Sequence, residues 1–325
     1  NCSIEAVVFF KSFEILHYMT VCCLLCKNKV FRKNNKNNCF YYYCPRCITL
    51  FLYPQPNIKT LDNYYKKTFD YSAGATNESV IRKRAKAILK QLLKFNPHGL
   101  RLLDIGSGYG YFFDEACKKG LKNYSIEPSK QLFKSSIHQN TNKSYCMTFE
   151  QYINKFRNEK FDFITLIHVI EHVQDPQKLI YQIMSLLSPN GILYIETPNL
   201  DSHLYHAEND NYTFLTPPDH LWIFSRFSFQ KILPINLKVM FLSTYSYPEH
   251  FMGIMKALLK KQKNSYARSV AMSQFQPPRL EMGRHFFSIS YIKYLLFDKC
   301  IAQLFYRLLN LHYYGSILEL YIRKK

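Results

Sequence analysis

Acidic residues are scarce in this 325-residue chain: 23 Asp and Glu stand against 43 Lys and Arg, a formal net charge of +20. Such a balance excludes a polyanion-repelling surface and keeps nucleic acid, or an anionic membrane surface, among the expected partners. The cations are scattered, with no block of like charges long enough to read as a polybasic tail. Long apolar runs are missing too, which argues against a spanning helix. Residues 1–25 lack a basic leader, and Lys11, Glu14 and His17 interrupt their apolar residues, so no secretory signal is expected there. Cys2, Cys39, Cys117, Cys146 and Cys300 then read as reduced cytoplasmic thiols. Tryptophan occurs once and glycine only 10 times.

Three of those glycines stand together. Residues 101–110 read RLLDIGSGYG, so that Asp104, Gly106, Gly108 and Gly110 form a D-x-G-x-G-x-G run. Leu102, Leu103 and Ile105 suit a strand buried on both faces, as in a parallel sheet. Residues 111–119 then read as a helix stopped by Gly120. A glycine turn between strand and helix lets an adenosine-bearing ligand lie against bare peptide near the helix N-terminus. The nicotinamide and flavin fingerprint needs G-x-G-x-x-G. Position 111 is Tyr, and the third glycine falls one residue early. The run resembles the first motif of class I S-adenosylmethionine-dependent methyltransferases. That resemblance implies S-adenosylmethionine as cofactor, with Asp104, Gly106, Gly108 and Gly110 binding it.

Residues 121–127 fit a second parallel strand ending in Glu127, whose two carboxylate oxygens match the vicinal hydroxyls of a ribose. The same residue would also serve as a cap for the helix start at Pro128-Ser129. Residues 161–169, FDFITLIHV, form the most apolar strand, and His168, Glu171 and His172 cluster at its C-terminal edge, where open parallel sheets bind ligands. Asp175-Pro176 opens a helix with Asp as N-cap and Pro in the first turn. Leu179, Ile180, Ile183, Leu186 and Leu187 make its core stripe. Pro189-Asn190-Gly191 is expected to end it, with a fifth strand over 192–199. The stretch H-V-I-E-H-V-x-D-P followed by E-T-P-N resembles the ubiquinone-type O-methyltransferase group, best over residues 100–235. Its place at that strand edge puts His168 in the expected cofactor set.

TPPDHLWIFS at 216–225 resembles the substrate-side segment of the same group. His220 is the leading expected general base, because an imidazole can accept a proton near neutral pH. The alternative is a loop-ordering histidine bonded to backbone. His172 is a second catalytic candidate, with packing of the sheet edge as its other reading. Trp222 is a core plug or a substrate platform.

Four cysteines are patterned: Cys23-x2-Cys26 and Cys44-x2-Cys47, two hooks whose spacing reads as a four-cysteine zinc ribbon. Cys22 could replace Cys23, and a pair of disulfides is the alternative chemistry. Lys27 and Ile48 stand where such hooks often carry glycine, so the turns are expected to be strained or the site lost. Some bacterial relatives carry a similar ribbon, a Pro-x-Pro turn and a tyrosine-rich stretch before the methyltransferase domain. By that likeness Tyr64, Tyr65 and Tyr71 help cover the cofactor, their other reading being a linker packed onto the domain, and residues 1–18 are an upstream extension of unknown role.

The expected architecture is α/β: a Rossmann-like seven-stranded methyltransferase sheet with helices on both faces, a small N-terminal zinc ribbon and a helical C-terminal insertion. The segments are 1–18, a ribbon at 19–56, an aromatic linker at 57–76 and the methyltransferase domain at 77–325. That domain has a core at 100–247, an insertion at 250–313 and a last strand at 315–323. A helix from Asn77 to Phe95 turns Ile81, Ala85, Ile88, Leu89 and Leu92 inward and Arg82, Lys83, Lys86 and Lys90 outward. Residues 251–325 hold 13 Lys and Arg against Glu281, Asp298 and Glu319. Phe297, Ile301, Leu304, Leu308 and Leu311 mark a basic amphipathic helix there. It would pack in the core, cover the substrate, meet a second subunit or lie on a membrane surface.

The resemblance implies methyl transfer to a small-molecule, glycan or lipid-linked acceptor, O-methylation first, in the cytoplasm or at a membrane surface. An RNA-directed methyltransferase is the runner-up, and a cofactor-binding protein without catalysis the third reading. The fifth strand ends in Thr-Pro-Asn, not the [DN]-P-P-[FY] of base-amino methyltransferases, which weighs against nucleic acid.

Overall fold

The computed structural model describes residues 21–57, 59–61, 64, 78–137, 143–262 and 305–325. The extension at 1–18, Tyr65, Tyr71, the Asn77 cap and most of the 250–313 insertion lie outside the described residues.

A seven-stranded sheet organises the rest. Its strands are β4 (Arg101–Ile105), β5 (Lys122–Ile126), β6 (Ser144–Tyr145), β7 (Phe161–Ile167), β8 (Leu187–Pro198), β10 (Leu237–Tyr245) and β11 (Ile317–Lys324). Their order is β10-β11-β8-β7-β4-β5-β6. The five strands from β8 to β6 are parallel, and β11 runs antiparallel between β8 and β10. Leu102, Leu103, Phe163, Ile164, Leu193 and Ile195 are fully buried, as a sheet covered on both faces requires. The strand order reverses beside β4, at the C-terminal ends of β4 and β7. That crevice is where an open α/β sheet receives ligands.

The helices are α1 (Glu78–Phe95), α2 (Tyr111–Lys118), α3 (Lys130–Ser135), α4 (Phe149–Phe156), α5 (Pro176–Leu186), α6 (His203–Glu208), α7 (Phe229–Ile232) and α8 (Pro248–Gln262). Asp175 caps α5 through the Lys178 N–H, with Pro176 at its start. Thr148 and Gln151 form a reciprocal capping box on α4.

Three local expectations are corrected. β8 begins at Leu187, and the Pro189-Asn190-Gly191 segment is an irregularity within the strand, between the pairs Phe161↔Leu187 and Phe163↔Ile192. Arg82 does not face outward. It pairs with Glu78 at 2.6 Å, Glu115 at 2.8 Å and Asp114, locking α1 to α2. The end of the expected amphipathic helix is a kinked 3-10 segment, Tyr306–Tyr313, in which Leu311 is extended and His312 left-handed. There Leu309 is buried while Leu308 and Leu311 are exposed, so the apolar register runs differently. Among the described residues no helix is long and apolar enough to cross a membrane.

The N-terminal segment forms β1 (Phe31–Lys36), β2 (Cys39–Cys44) and β3 (Thr49–Leu52). It is not a free-standing ribbon. A fourth strand, β9 (Trp222–Phe224), completes its sheet in the order β1-β2-β3-β9. Tyr41, Leu50 and Phe51 join Trp222, Phe224 and Phe229 in one core cluster with Leu103 and Ile164 of the large sheet. Burying a side chain of this size contributes about 1.5–3 kcal/mol. The joint is therefore a packed interior.

Candidate functional site

The backbone of the β4–α2 turn carries the first half of the site. Gly106, Gly108 and Gly110 all have positive φ, at 75°, 53° and 80°. Only glycine adopts this region cheaply, and three such residues fold the chain back over the strand end. A Cβ on Gly106 would meet Val169 Cγ2 at 2.5 Å, whereas one on Gly108 would meet nothing within 4 Å. Gly108 therefore faces open space.

That space is a cleft of about 340 Å³ whose walls include Asp104, Gly106, Gly108, His168, Arg84 and Tyr247. Four sequence-predicted residues thus meet there, namely Asp104, Gly106, Gly108 and His168. Gly110 caps α2 instead, and Glu127 stands behind the loop. The Glu127 carboxylate accepts the Gly108 N–H at 2.9 Å and the Ser129 N–H at 2.8 Å. Burial pushes the Glu127 carboxyl above its usual range against the pull of these two bonds. Asp104 is fully buried and accepts the Thr165 hydroxyl at 2.7 Å. Burial raises it to about 7, with the Thr165 bond opposing and Glu127 adding to the rise.

His168 occupies the far wall with a left-handed backbone, φ 53°. Its Nδ1 lies 3.2 Å from Glu171 Oε1 and its Nε2 3.4 Å from Glu196 Oε1. Burial works against a charge on this ring, but the two carboxylates outweigh it and hold the imidazole protonated well above its usual range. Glu196 is also gripped by Arg84 at 3.1 Å, Tyr194 at 2.6 Å and Tyr245 at 2.5 Å. Arg84 reaches on to Glu319 and lies over the Tyr245 ring at 3.9 Å.

Arg84, Glu196, Tyr245 and Tyr247 escaped the sequence reading. One signal was present for Arg84: it stands three residues after Ile81 and four before Ile88, a cation within an apolar helical stripe.

Behind His168 lies a second group. Leu221 N–H donates to the Glu171 carbonyl at 2.8 Å, which brings residues 219–221 against the turn after β7. His172 Nδ1 faces Asp219 Oδ1 at 3.0 Å, and His220 Nδ1 faces the Phe214 carbonyl at 2.7 Å. Both contacts require a proton on Nδ1, so the neutral ring of His220 keeps its lone pair on Nε2. The two rings meet edge to face at 4.7 Å. Donor atoms of Glu171, His172 and His220 lie within 4.8 Å of one another. Burial opposes the charge on His172, yet Asp219 raises it to about 9. Burial and the neighbouring His172 lower His220 to about 4. His220 is therefore both backbone-bonded and a neutral imidazole of low basicity. Trp222 is a core plug, fully buried, with Nε1–H donating to the Val173 carbonyl at 2.9 Å.

The third cluster is the cysteine knot. Cys23 and Cys47 Sγ lie 3.9 Å apart, and Cys26 and Cys44 Sγ 3.6 Å apart. Tetrahedral zinc with metal–sulfur bonds of about 2.3 Å requires sulfur separations of about 3.8 Å. All four donor atoms lie within 4.8 Å of one another, so the donor set fits zinc. Cys22 stands aside in a bridge with Lys29. Lys27 and Ile48, the residues in place of glycine, have φ of 58° and 54°. Their N–H groups donate to the Cys23 and Cys44 carbonyls at 2.9 and 2.8 Å. The hooks thus keep a glycine-type turn with side chains that strain it.

The chain is similar to known proteins over part of its length. The Ubiquinone biosynthesis O-methyltransferase of Pasteurella multocida (strain Pm70) is 30% identical over 114 residues, 31% of this chain and 47% of that protein. The protein of the same name from Rhodopseudomonas palustris (strain HaA2) is 33% identical over 108 residues, 31% and 41%. The chain spans about half, or less, of the length of these curated relatives. Among solved structures, a SAM dependent methyltransferase from Archaeoglobus fulgidus aligns with a TM-score of 0.43 at 17% identity, covering 83% of this chain and all of the other. The plantazolicin methyltransferase BpumL, solved with a substrate analogue and SAH, aligns with a TM-score of 0.48 at 13% identity, covering 82% and 95%. Residues 78–234 match the family model described as a methyltransferase domain.

Proposed function

We propose that the protein is an S-adenosylmethionine-dependent methyltransferase acting on a hydroxyl of a small-molecule, glycan or lipid-linked acceptor. One observation carries this reading: the cleft lies at the reversal point of the sheet, walled by Asp104, Gly106 and Gly108, with Glu127 braced behind the loop. The family match over residues 78–234 and the O-methyltransferase relatives support it.

Gly106 and Gly108 supply bare backbone, and Gly110 turns the chain into α2. Asp104 and Glu127 supply the carboxylates for the polar groups of a nucleoside cofactor. His168, held cationic between Glu171 and Glu196, closes the opposite wall. When bound, the cofactor supplies an electrophilic methyl group. The chain's own task is then to hold the acceptor oxygen in line and exclude water. His220 Nε2, with its lone pair free, is the atom assigned to receive the acceptor proton, and Asp219 orients His172 beside it.

The placement of three donor atoms within 4.8 Å favours a second way of activating the acceptor. A divalent cation on Glu171, His172 and His220 would stabilise a deprotonated hydroxyl. Both histidines have Nδ1 anchored to an oxygen, the usual arrangement of a metal-ligating imidazole.

Calorimetry with S-adenosylhomocysteine tests the cofactor assignment. Asp104→Ala and Glu127→Ala should each abolish measurable binding, and unchanged affinity would overturn it. Labelled-methyl transfer into a metabolite extract, with and without Mn²⁺, identifies the acceptor and separates base from metal activation.

A further inference from the structure

The acceptor-side wall hangs on the cysteine segment. Cys44 ends β2, Cys47 lies just before β3, and β3 pairs antiparallel with β9 through Thr49↔Phe224, Leu50↔Ile223 and Phe51↔Trp222. Leu52 N–H donates to the Leu221 carbonyl at 2.9 Å. The buried Tyr41 hydroxyl, from the middle of β2, donates to the His220 carbonyl at 2.8 Å. Ser228 Oγ–H donates to the Ile48 carbonyl at 2.8 Å. On its other side the same segment is bound to the turn of Glu171 and His172, through Leu221 N–H to the Glu171 carbonyl and Trp222 Nε1–H to the Val173 carbonyl. Residues 220–224 are thus gripped from two sides, and one of the two grips is built by the hairpin that the cysteines tie off.

A three-strand hairpin of 22 residues between Phe31 and Leu52 has little interior of its own. Segments this small usually draw their folding free energy from the metal on their thiolates. The cofactor cleft stands apart from this dependence, because none of its walls comes from residues 21–57.

We infer that the four-cysteine knot, with a zinc-class metal on it, is the buttress of the acceptor-side wall, and that Tyr41 is a positioning residue for His220. The inference rests on the proposed function only in naming that wall the acceptor side. Loss of the metal frees β3 from β9 and displaces His220, while the glycine loop keeps its shape.

Trp222 makes this directly measurable. It is the chain's single tryptophan, fully buried at the β3–β9 seam with its ring 5.5 Å from Phe51. The 325-residue chain, purified with zinc, is treated with a chelator under reducing conditions, with metal loss followed by elemental analysis. Trp222 emission should shift to the red, return on adding one equivalent of zinc, and leave S-adenosylhomocysteine affinity within about twofold of the loaded value. Tyr41→Phe, zinc-loaded, should raise amide exchange at 220–224 about fivefold, the loss of one hydrogen bond of about 1 kcal/mol, and leave 101–127 unchanged.

Three results would overturn the inference: protein that purifies without metal, metal loss with unchanged Trp222 emission, or exchange rising equally across the large sheet. A loaded protein that never binds S-adenosylhomocysteine would sink the cofactor reading instead, and the tryptophan signal would still decide the buttress.

Discussion

The main-chain N–H of Gly108 donates to the Glu127 carboxylate at 2.9 Å, so the turn after β4 and the end of β5 are joined by a charge-assisted bond. A second N–H, from Ser129, fixes the other carboxylate oxygen at 2.8 Å. Glu127→Gln keeps the shape but removes the charge and one acceptor. It should weaken S-adenosylhomocysteine binding about 10- to 100-fold, read by calorimetry, since hydrogen bonds to charged groups contribute about 1.5–3 kcal/mol.

Gly106 and Gly108 should respond differently to alanine. At Gly106 the methyl meets Val169 Cγ2 at 2.5 Å on a left-handed backbone, so Gly106→Ala should cost about 2–3 kcal/mol of stability in chemical denaturation. At Gly108 the methyl enters open space, leaving only the conformational cost of about 1 kcal/mol. Gly108→Ala should therefore stay folded and lose cofactor affinity.

Arg84 and Glu196 set a pH dependence. Burial would raise the Glu196 carboxyl, but Arg84 first and then His168 hold it well below its usual value of 4.5. A carboxyl depressed in the folded state contributes stability that is complete above pH about 4.5 and is lost as pH falls below it. Glu196→Gln should flatten the fall in stability between pH 5 and about pH 3 relative to wild type. Arg84→Met leaves Glu319 buried without its cation and Glu196 with His168 alone, and should cost about 3–5 kcal/mol at neutral pH.

Lys27 offers a stabilising change. Its side chain is exposed and its φ of 58° is unfavourable for any residue with a Cβ. Lys27→Gly should raise stability by about 1 kcal/mol and tighten metal retention in a chelator competition.

The glycine loop was legible because its chemistry is local. Gly106, Gly108 and Gly110 announce positive φ, and Leu102, Leu103 and Ile105 announce a two-sided strand. The hooks were legible for the same reason, down to the awkward Lys27 and Ile48. Arg84 was not, since its partners Glu196 and Glu319 lie 112 and 235 residues away in sequence. Nor was β9, a strand of three residues whose identity depends on β3 beside it. His220 was found by residue type, but its low basicity comes from burial and from His172, neither of which a linear pattern displays.

The shared strand limits how this chain can be cut. A fragment beginning at Glu78 would keep every described wall of the glycine-loop cleft yet present Trp222, Ile223 and Phe224 to water as a bare edge. Such an edge invites strand-to-strand association between copies. An apparently clean excision of the large-sheet domain would thus yield a sticky protein, and adding back residues 21–57 as a separate peptide would be the remedy.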